Sequence, residues 1–411
     1  MDSSRYRSTR WACYRGYVVE AIINNLAPLL FIIFQTNYGV DFEGLGWLLC
    51  ITFLTQLGVD ALAAKYVDRF GYRRVIVLAH FLSAAGLVCL GILPRLLSSL
   101  PYLGIVIAVV LYSSGSGLIE VMVSPMIEAL PSEKKSASMS FLHSFYCWGQ
   151  MAVVLITTLL LSWIGNDLWF ILPLLWALFP VYNLIRFLKV PIRELNEEEE
   201  PLQIRKMFSI PVFRMGIVLM FCGGACELAM SQWASLFAET GLGVSKVTGD
   251  LLGPCLFAMF MGLGRVSYSL WGEKIRLNRI LTLSGVVCAL CYLTAALAPN
   301  PFVSLAACAF TGAAVSLIWP GVYSLCAASI PRGGASMFAL LSLGGDIGCS
   351  MGPWLMGMIA DQASQLHGWM GEQLQGAQIG MKAGLLTMLV FPAVMLGCMI
   401  YFRRRNKAGD E

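Results

Sequence analysis

Apolar runs of about twenty residues recur along almost the whole chain, and each is long enough for a helix to cross a bilayer. Twelve can be counted, at approximately 14–35, 45–64, 75–93, 102–123, 139–164, 169–188, 215–238, 251–270, 280–297, 302–328, 337–360 and 379–402. Charged residues make up 13% of the sequence, against roughly 25% in soluble domains. The chain therefore reads as an all-α membrane protein with twelve transmembrane helices.

The placement of lysine and arginine sets the orientation. With both termini inside, nearly every basic residue falls on the cytoplasmic side. Arg95, Lys246 and Lys382 lie outside, and Arg265 lies within a span. The net charge of +4 then records topology, and no nucleic-acid partner is implied. The first run is too long for a signal peptide and no cleavage site follows it, so the expectation is a multi-pass protein of the plasma (inner) membrane. Twelve of the thirteen cysteines sit inside expected spans. Cys288 and Cys291 form a lone CxxC pair mid-helix with no histidine nearby, so the cysteines read as small apolar residues and no metal is expected.

Within this apolar chain Glu120 stands out. Its neighbours from Leu111 to Val123 are apolar, Gly, Ser or Tyr residues. An ionisable side chain at membrane depth costs on the order of 2.5–3.5 kcal/mol even on lenient scales, so it marks a site. Ser113, Ser116 or Gly117, Glu120, Ser124 and Glu128 recur at steps of three and four and form one polar line. Comparable lines hold His143, Tyr146 or Cys147 and Gln150; Glu227, Ser231 and Ser235; and Ser342, Asp346 and Ser350. Asp60, near the cytoplasmic end of the second span, is expected to support the loop that follows. Arg265 is expected to neutralise a carboxylate. His143 reads equally as a structural hydrogen bonder or a site residue.

The chain divides once, into a bundle at 1–189, a polar linker at 190–209 and a second bundle at 210–411. The acidic run Glu197–Glu200 reads as solvated linker. The two halves repeat each other. Pro131 is followed by Ala137-Ser138-Met139, and Pro331 by Ala335-Ser336-Met337. The loop Asp68-Arg69-Phe70-Gly71-Tyr72-Arg73-Arg74 has a degenerate counterpart in Trp271-Gly272-Glu273-Lys274-Ile275-Arg276. Two parallel six-helix copies joined by a linker resemble a major facilitator transporter, and the 68–74 loop resembles that superfamily's loop motif. The glycine permits a tight turn, and the aspartate can cap a helix or pair with arginines. The resemblance gives Asp68, Arg69, Gly71, Arg73 and Arg74 a gating role, with Asp60 and Arg265 in support.

A narrower resemblance is to the fucose permease branch (fucose, galactose and glucose cation symporters). Gly117-Leu118-Ile119-Glu120 with Ser124-Pro125 is similar to its fourth helix. The run from Met139 through His143 to Gly149 resembles its fifth, Gly224–Trp233 its seventh and Ser316–Leu325 its tenth. His143 stands where a sugar-contacting glutamine is usual. The helix-one acid of the branch is replaced by Pro28 in Asn24-Asn25-Leu26-Ala27-Pro28. Glu20, four residues before Asn24, shares its face and either substitutes for that acid or lies at the interface, the latter being slightly favoured.

The resemblance implies cation-coupled symport of a neutral monosaccharide or similar polar solute by alternating access, without a cofactor beyond the coupling ion, H+ or Na+. Glu120, Glu227 and Asp346 are the candidate proton carriers. Candidate substrate contacts are Asn24, Asn25, Glu120, His143, Tyr146, Gln150, Glu227, Gln232, Trp233, Trp319 and Tyr323. Partners are then a small solute and the lipid bilayer, with the protein a monomer. Proton-driven efflux of amphipathic compounds is the alternative, followed by an uncoupled sensor or scramblase. No GxxxxGK[ST] or HExxH element is present, so an enzyme is not expected.

Overall fold

A computed structural model of the protein describes residues 5–40, 42–193, 202–238, 242–244, 248–249, 251–271, 276–368 and 373–408. In chain order the helices are α1 (Arg7–Leu29), α2 (Phe31–Tyr38), α3 (Phe42–Phe70), α4 (Tyr72–Leu96), α5 (Pro101–Ala129), α6 (Lys135–Ile164), α7 (Ile171–Lys189) and the short α8 (Ile204–Met207). They continue with α9 (Pro211–Leu236), α10 (Leu256–Trp271), α11 (Leu277–Leu297), α12 (Pro301–Val315), α13 (Ile318–Ser329), α14 (Gly334–Gly368), α15 (Gln373–Thr387) and α16 (Val390–Ala408). Among the described residues eight helical stretches are long and apolar enough to cross a membrane. The other expected spans are helical too, but broken or polar. The first is split between α1 and α2 just after Pro28, and the eighth opens with a π-helical turn at Leu251–Cys255 that contains Pro254.

The helices gather into two compact units. One comprises Met1–Ser138, Phe145–Ile204 and Ile330–Leu343; the other comprises Met139–Ser144, Arg205–Ser329 and Gly344–Glu411. The small segments that depart from a simple half-and-half division lie at the two Ala-Ser-Met repeats. Of the linker, residues 194–201 lie outside the described residues, including Glu197–Glu200. The same holds for 272–275 in the loop counterpart.

In the first unit α4 and α5 pack backbone to backbone. A Cβ on Gly86 would fall on the Tyr112 amide, and one on Gly115 on Ser83 and the Ala79 carbonyl. Small residues at such crossings let dispersion act where lipid supplies no hydrophobic drive. A buried polar knot joins α1, α4 and α7. The Asn183 amide group donates to Ala12 O at 3.0 Å and to His80 Nε2 at 2.8 Å, while its Oδ1 accepts from Arg15 Nε at 3.1 Å. His80 Nδ1 lies 2.8 Å from Ile76 O, so the ring is a neutral tautomer that donates through Nδ1 and accepts through Nε2. Every polar atom of the Asn183 side chain is thereby used, as a buried amide requires.

The loop motif folds as its glycine demands. Gly71 is the single residue between α3 and α4 and has φ 81°, a conformation that suits glycine alone. Arg73 then reaches the end of α7, donating from Nη1 to Phe187 O (2.7 Å) and Leu188 O (2.9 Å) and from Nη2 to Val190 O (2.9 Å). These are carbonyls that a helix terminus leaves without an internal partner. The Asp68 side chain lies outside the described ones, and Arg69 and Arg74 are exposed. Arg73→Ala is expected to lower stability by about 1–2 kcal/mol, the charge-assisted bonds being discounted for solvent screening. Its thermal midpoint in detergent should fall clearly below that of Arg74→Ala; equal midpoints would remove Arg73 from the cap.

Candidate functional site

In the first unit the polar residues of three helices meet. Asn24 Oδ1 on α1 accepts from Gln56 Nε2 on α3 at 3.1 Å and from Ser116 Oγ on α5 at 3.4 Å. Two turns toward the start of α1, Tyr17 and Ser124 share a hydroxyl–hydroxyl bond of 3.0 Å. The pairs Tyr17–Ser124 and Asn24–Ser116 fix α1 and α5 as antiparallel. Gly16 lets them close, since a Cβ there would touch Val123 at 3.0 Å. Glu20 and Glu120 fall between these two contacts, each one turn from the Asn24 cluster. On α3, Asp60 is likewise one turn beyond Gln56, and Gly117 packs on Gln56 and Val59 from α5. The helix registers thus bring Glu20, Asp60 and Glu120 to one level beneath an amide and hydroxyl cluster. Their exposures are 5%, 0% and 7%.

Two expectations change here. Glu20 is buried among helices, because its face of α1 is the one that α5 covers. Asp60 stands ten residues, about 15 Å, up the helix from Phe70 and away from the Gly71 turn it was expected to support. Gln56 was missed, although its i, i+4 spacing to Asp60, in a stretch from 44 to 64 that holds no other charged or amide side chain, is a legible signal. Asn25 turns back on its own helix and donates to Ala21 O at 2.9 Å. Tyr146 and Gln150 are half-buried on α6 in this unit.

The second unit collects the other candidates. Arg265 on α10 is buried and lies 3.8 Å from the Glu227 carboxylate of α9, which neutralises it. Its Nη1 donates to His143 O at 2.9 Å and its Nε to Ser316 O at 2.9 Å. The His143 ring lies 5.6 Å from the buried Tyr323 ring, which in turn contacts Trp319 edge-on at 6.3 Å. Trp319 lies on Gly345, next to the buried Asp346. Trp233 packs on Gly357 and donates to Pro353 O at 3.2 Å, while Gln232 is exposed. Glu227, Arg265, His143, Tyr323 and Trp319 are thus brought together; Trp233 and Gln232 stand apart. Among the described residues no group of three His, Cys, Asp or Glu side chains could hold a metal. A cavity of about 510 Å³ lined by Asn37, Tyr38, Pro94, Arg95, Ser98 and Pro101 contains none of the expected site residues.

Buried carboxylates inside apolar helix bundles are expensive and mark membrane transport machinery. Residues 16–353 match the family described as Major Facilitator Superfamily. The chain belongs to that superfamily. It is a transporter with the superfamily's twelve-helix architecture, and an integral, multi-pass membrane protein rather than an enzyme. It is 22% identical over 379 residues to the membrane protein MosC of Rhizobium meliloti, covering 92% of this chain and 85% of that one. Its fold is that of the proton:xylose symporter XylE, with a TM-score of 0.79 at 14% identity, covering 98% and 96% of the two chains. The Escherichia coli fucose:proton symporter FucP superposes with a TM-score of 0.72 at 15% identity, covering 95% and 99%. Likeness at that level of identity concerns the fold alone.

Proposed function

We propose that this transporter is a proton-coupled symporter of a neutral monosaccharide or similar small polar solute, working by alternating access. The observation that carries the reading is the buried level of Glu20, Asp60 and Glu120 beside Asn24, Gln56 and Ser116. Three buried carboxyls at one level in an apolar bundle give the unit groups that can take up and release a proton as the surroundings change. Glu120 is the central carrier, with Glu227, 3.8 Å from Arg265, and Asp346 as the further acids. The amide and hydroxyl cluster offers the alternating donors and acceptors that a solute rich in hydroxyls would exchange into. Two transporters of similar fold are sugar symporters driven by protons, which agrees with this reading. The gradient used is that of the inner membrane, with both termini cytoplasmic, no cofactor and a monomeric working unit.

Ligand binding stabilises the folded state by mass action, so purified protein should respond to its solute in a thermal-shift screen. Hexoses, pentoses and cyclic polyols are expected to raise the midpoint, and Asn24→Ala should abolish that rise. A panel in which only hydrophobic cations or drugs stabilise the protein would sink the sugar reading and favour efflux.

A further inference from the structure

The tenth span is broken between α12 and α13 at Ser316–Leu317. In an unbroken helix the Ser316 carbonyl would accept from the amide four residues on, but residue 320 is proline and has none. The next rung is intact, with Gly321 N donating to Leu317 O at 2.9 Å. One rung is missing, and Ser316 is buried. A buried carbonyl left without a partner is destabilising. Arg265 Nε stands 2.9 Å from that oxygen. Gly264 makes the approach possible, since a Cβ there would collide with the Ser316 side chain.

We propose that Arg265 supplies the hydrogen bond that Pro320 removes, and so sets the angle at which α13 carries Trp319 and Tyr323. Arg265 is a positioning residue. Its fork is anchored on two other elements of the same unit: Nη1 donates to His143 O, and Nη2 faces Glu227. Ser140 Oγ closes the arrangement by donating to Arg265 O at 2.7 Å. A planar guanidinium can meet these partners at once, whereas an ammonium cannot. The α12–α13 hinge is thereby tied to α9 and to the Met139–Ser144 segment of α6. The tie depends on neither the solute nor the coupling ion, so it can fail while the symport reading stands, and the reverse.

Amide hydrogen exchange across residues 313–323 reads the hinge directly. Because Arg265→Gln alone strips the counter-charge from Glu227, the measurement uses Glu227→Gln as its background. Adding Arg265→Gln should speed exchange in that segment about tenfold, as expected for one lost buried bond. Arg265→Lys should do nearly the same. Adding Pro320→Ala restores an amide at position 320 and should return exchange to within about threefold of the background. A merely structural arginine would give no such rescue. Unchanged exchange in the Arg265→Gln variant, or an equal rise with and without Pro320→Ala, would overturn the proposal. If the Arg265→Gln variant cannot be recovered folded, recovery on adding Pro320→Ala supports the proposal and failure of both contradicts it.

Discussion

Replacing Glu120 by glutamine should abolish accumulation of solute against a gradient while leaving exchange across the membrane largely intact. The variant keeps the size and hydrogen-bonding tip of the protonated acid and removes its titration. With one proton per solute, an inward gradient of one pH unit drives about tenfold accumulation, because one unit is 1.36 kcal/mol. Glu120→Gln should bring that ratio to about one, and its exchange should depend less on pH. Glu20 and Asp60 are unchanged in this variant, so the effect reads Glu120 alone. If sodium is the coupling ion, the variant loses sodium stimulation instead. Counterflow and uphill uptake in the same liposomes separate these outcomes from misfolding, in which both fall together. Full accumulation by Glu120→Gln would remove it from the mechanism and move attention to Asp346.

The largest expected effect on folding is at Gly348. Gly224, Gly348 and Gly352 bring α9 and α14 into backbone contact; a Cβ on Gly348 would fall on the Phe221 carbonyl, and one on Gly352 would meet Ala225 O at 2.6 Å. Backbone on one side and backbone on the other leave no side chain to yield, so Gly348→Leu must drive the two helices apart. Overpacking of a core typically costs about 1–3 kcal/mol, and contact with main chain belongs at or above the top of that range. Purified Gly348→Leu should be aggregated or should melt far below wild type. Gly397→Leu is the control, because nothing lies within 4 Å of a Cβ there. Equal midpoints for the two variants would show that the α9–α14 contact is not tight.

What could be read in advance follows the range of each interaction. Span length, charge asymmetry and the Gly71 turn are local, so hydropathy, loop composition and one obligatory glycine disclosed them. Glu120 was legible because a charge in apolar sequence is costly wherever the helix packs. Glu20 was not, since the same sequence fits an interfacial helix end until α5 is known to cover that face. Gln56 bonding to Asn24 requires the register between two helices, which periodicity within each cannot supply. Arg265 donating to the Ser316 carbonyl, 51 residues on in sequence, emerges only from the packing of α10 on α12.

Proton symport requires that protons move with the solute. Liposomes holding wild-type protein and a pH-sensitive dye, at zero membrane potential and equal starting pH, provide the measurement. A solute identified by thermal shift is added outside. Inward flow of that solute should acidify the lumen in wild type, and Glu120→Gln should equilibrate the solute with no change in lumenal pH. Solute entry into wild-type liposomes without acidification, in sodium-free buffer, would contradict proton symport.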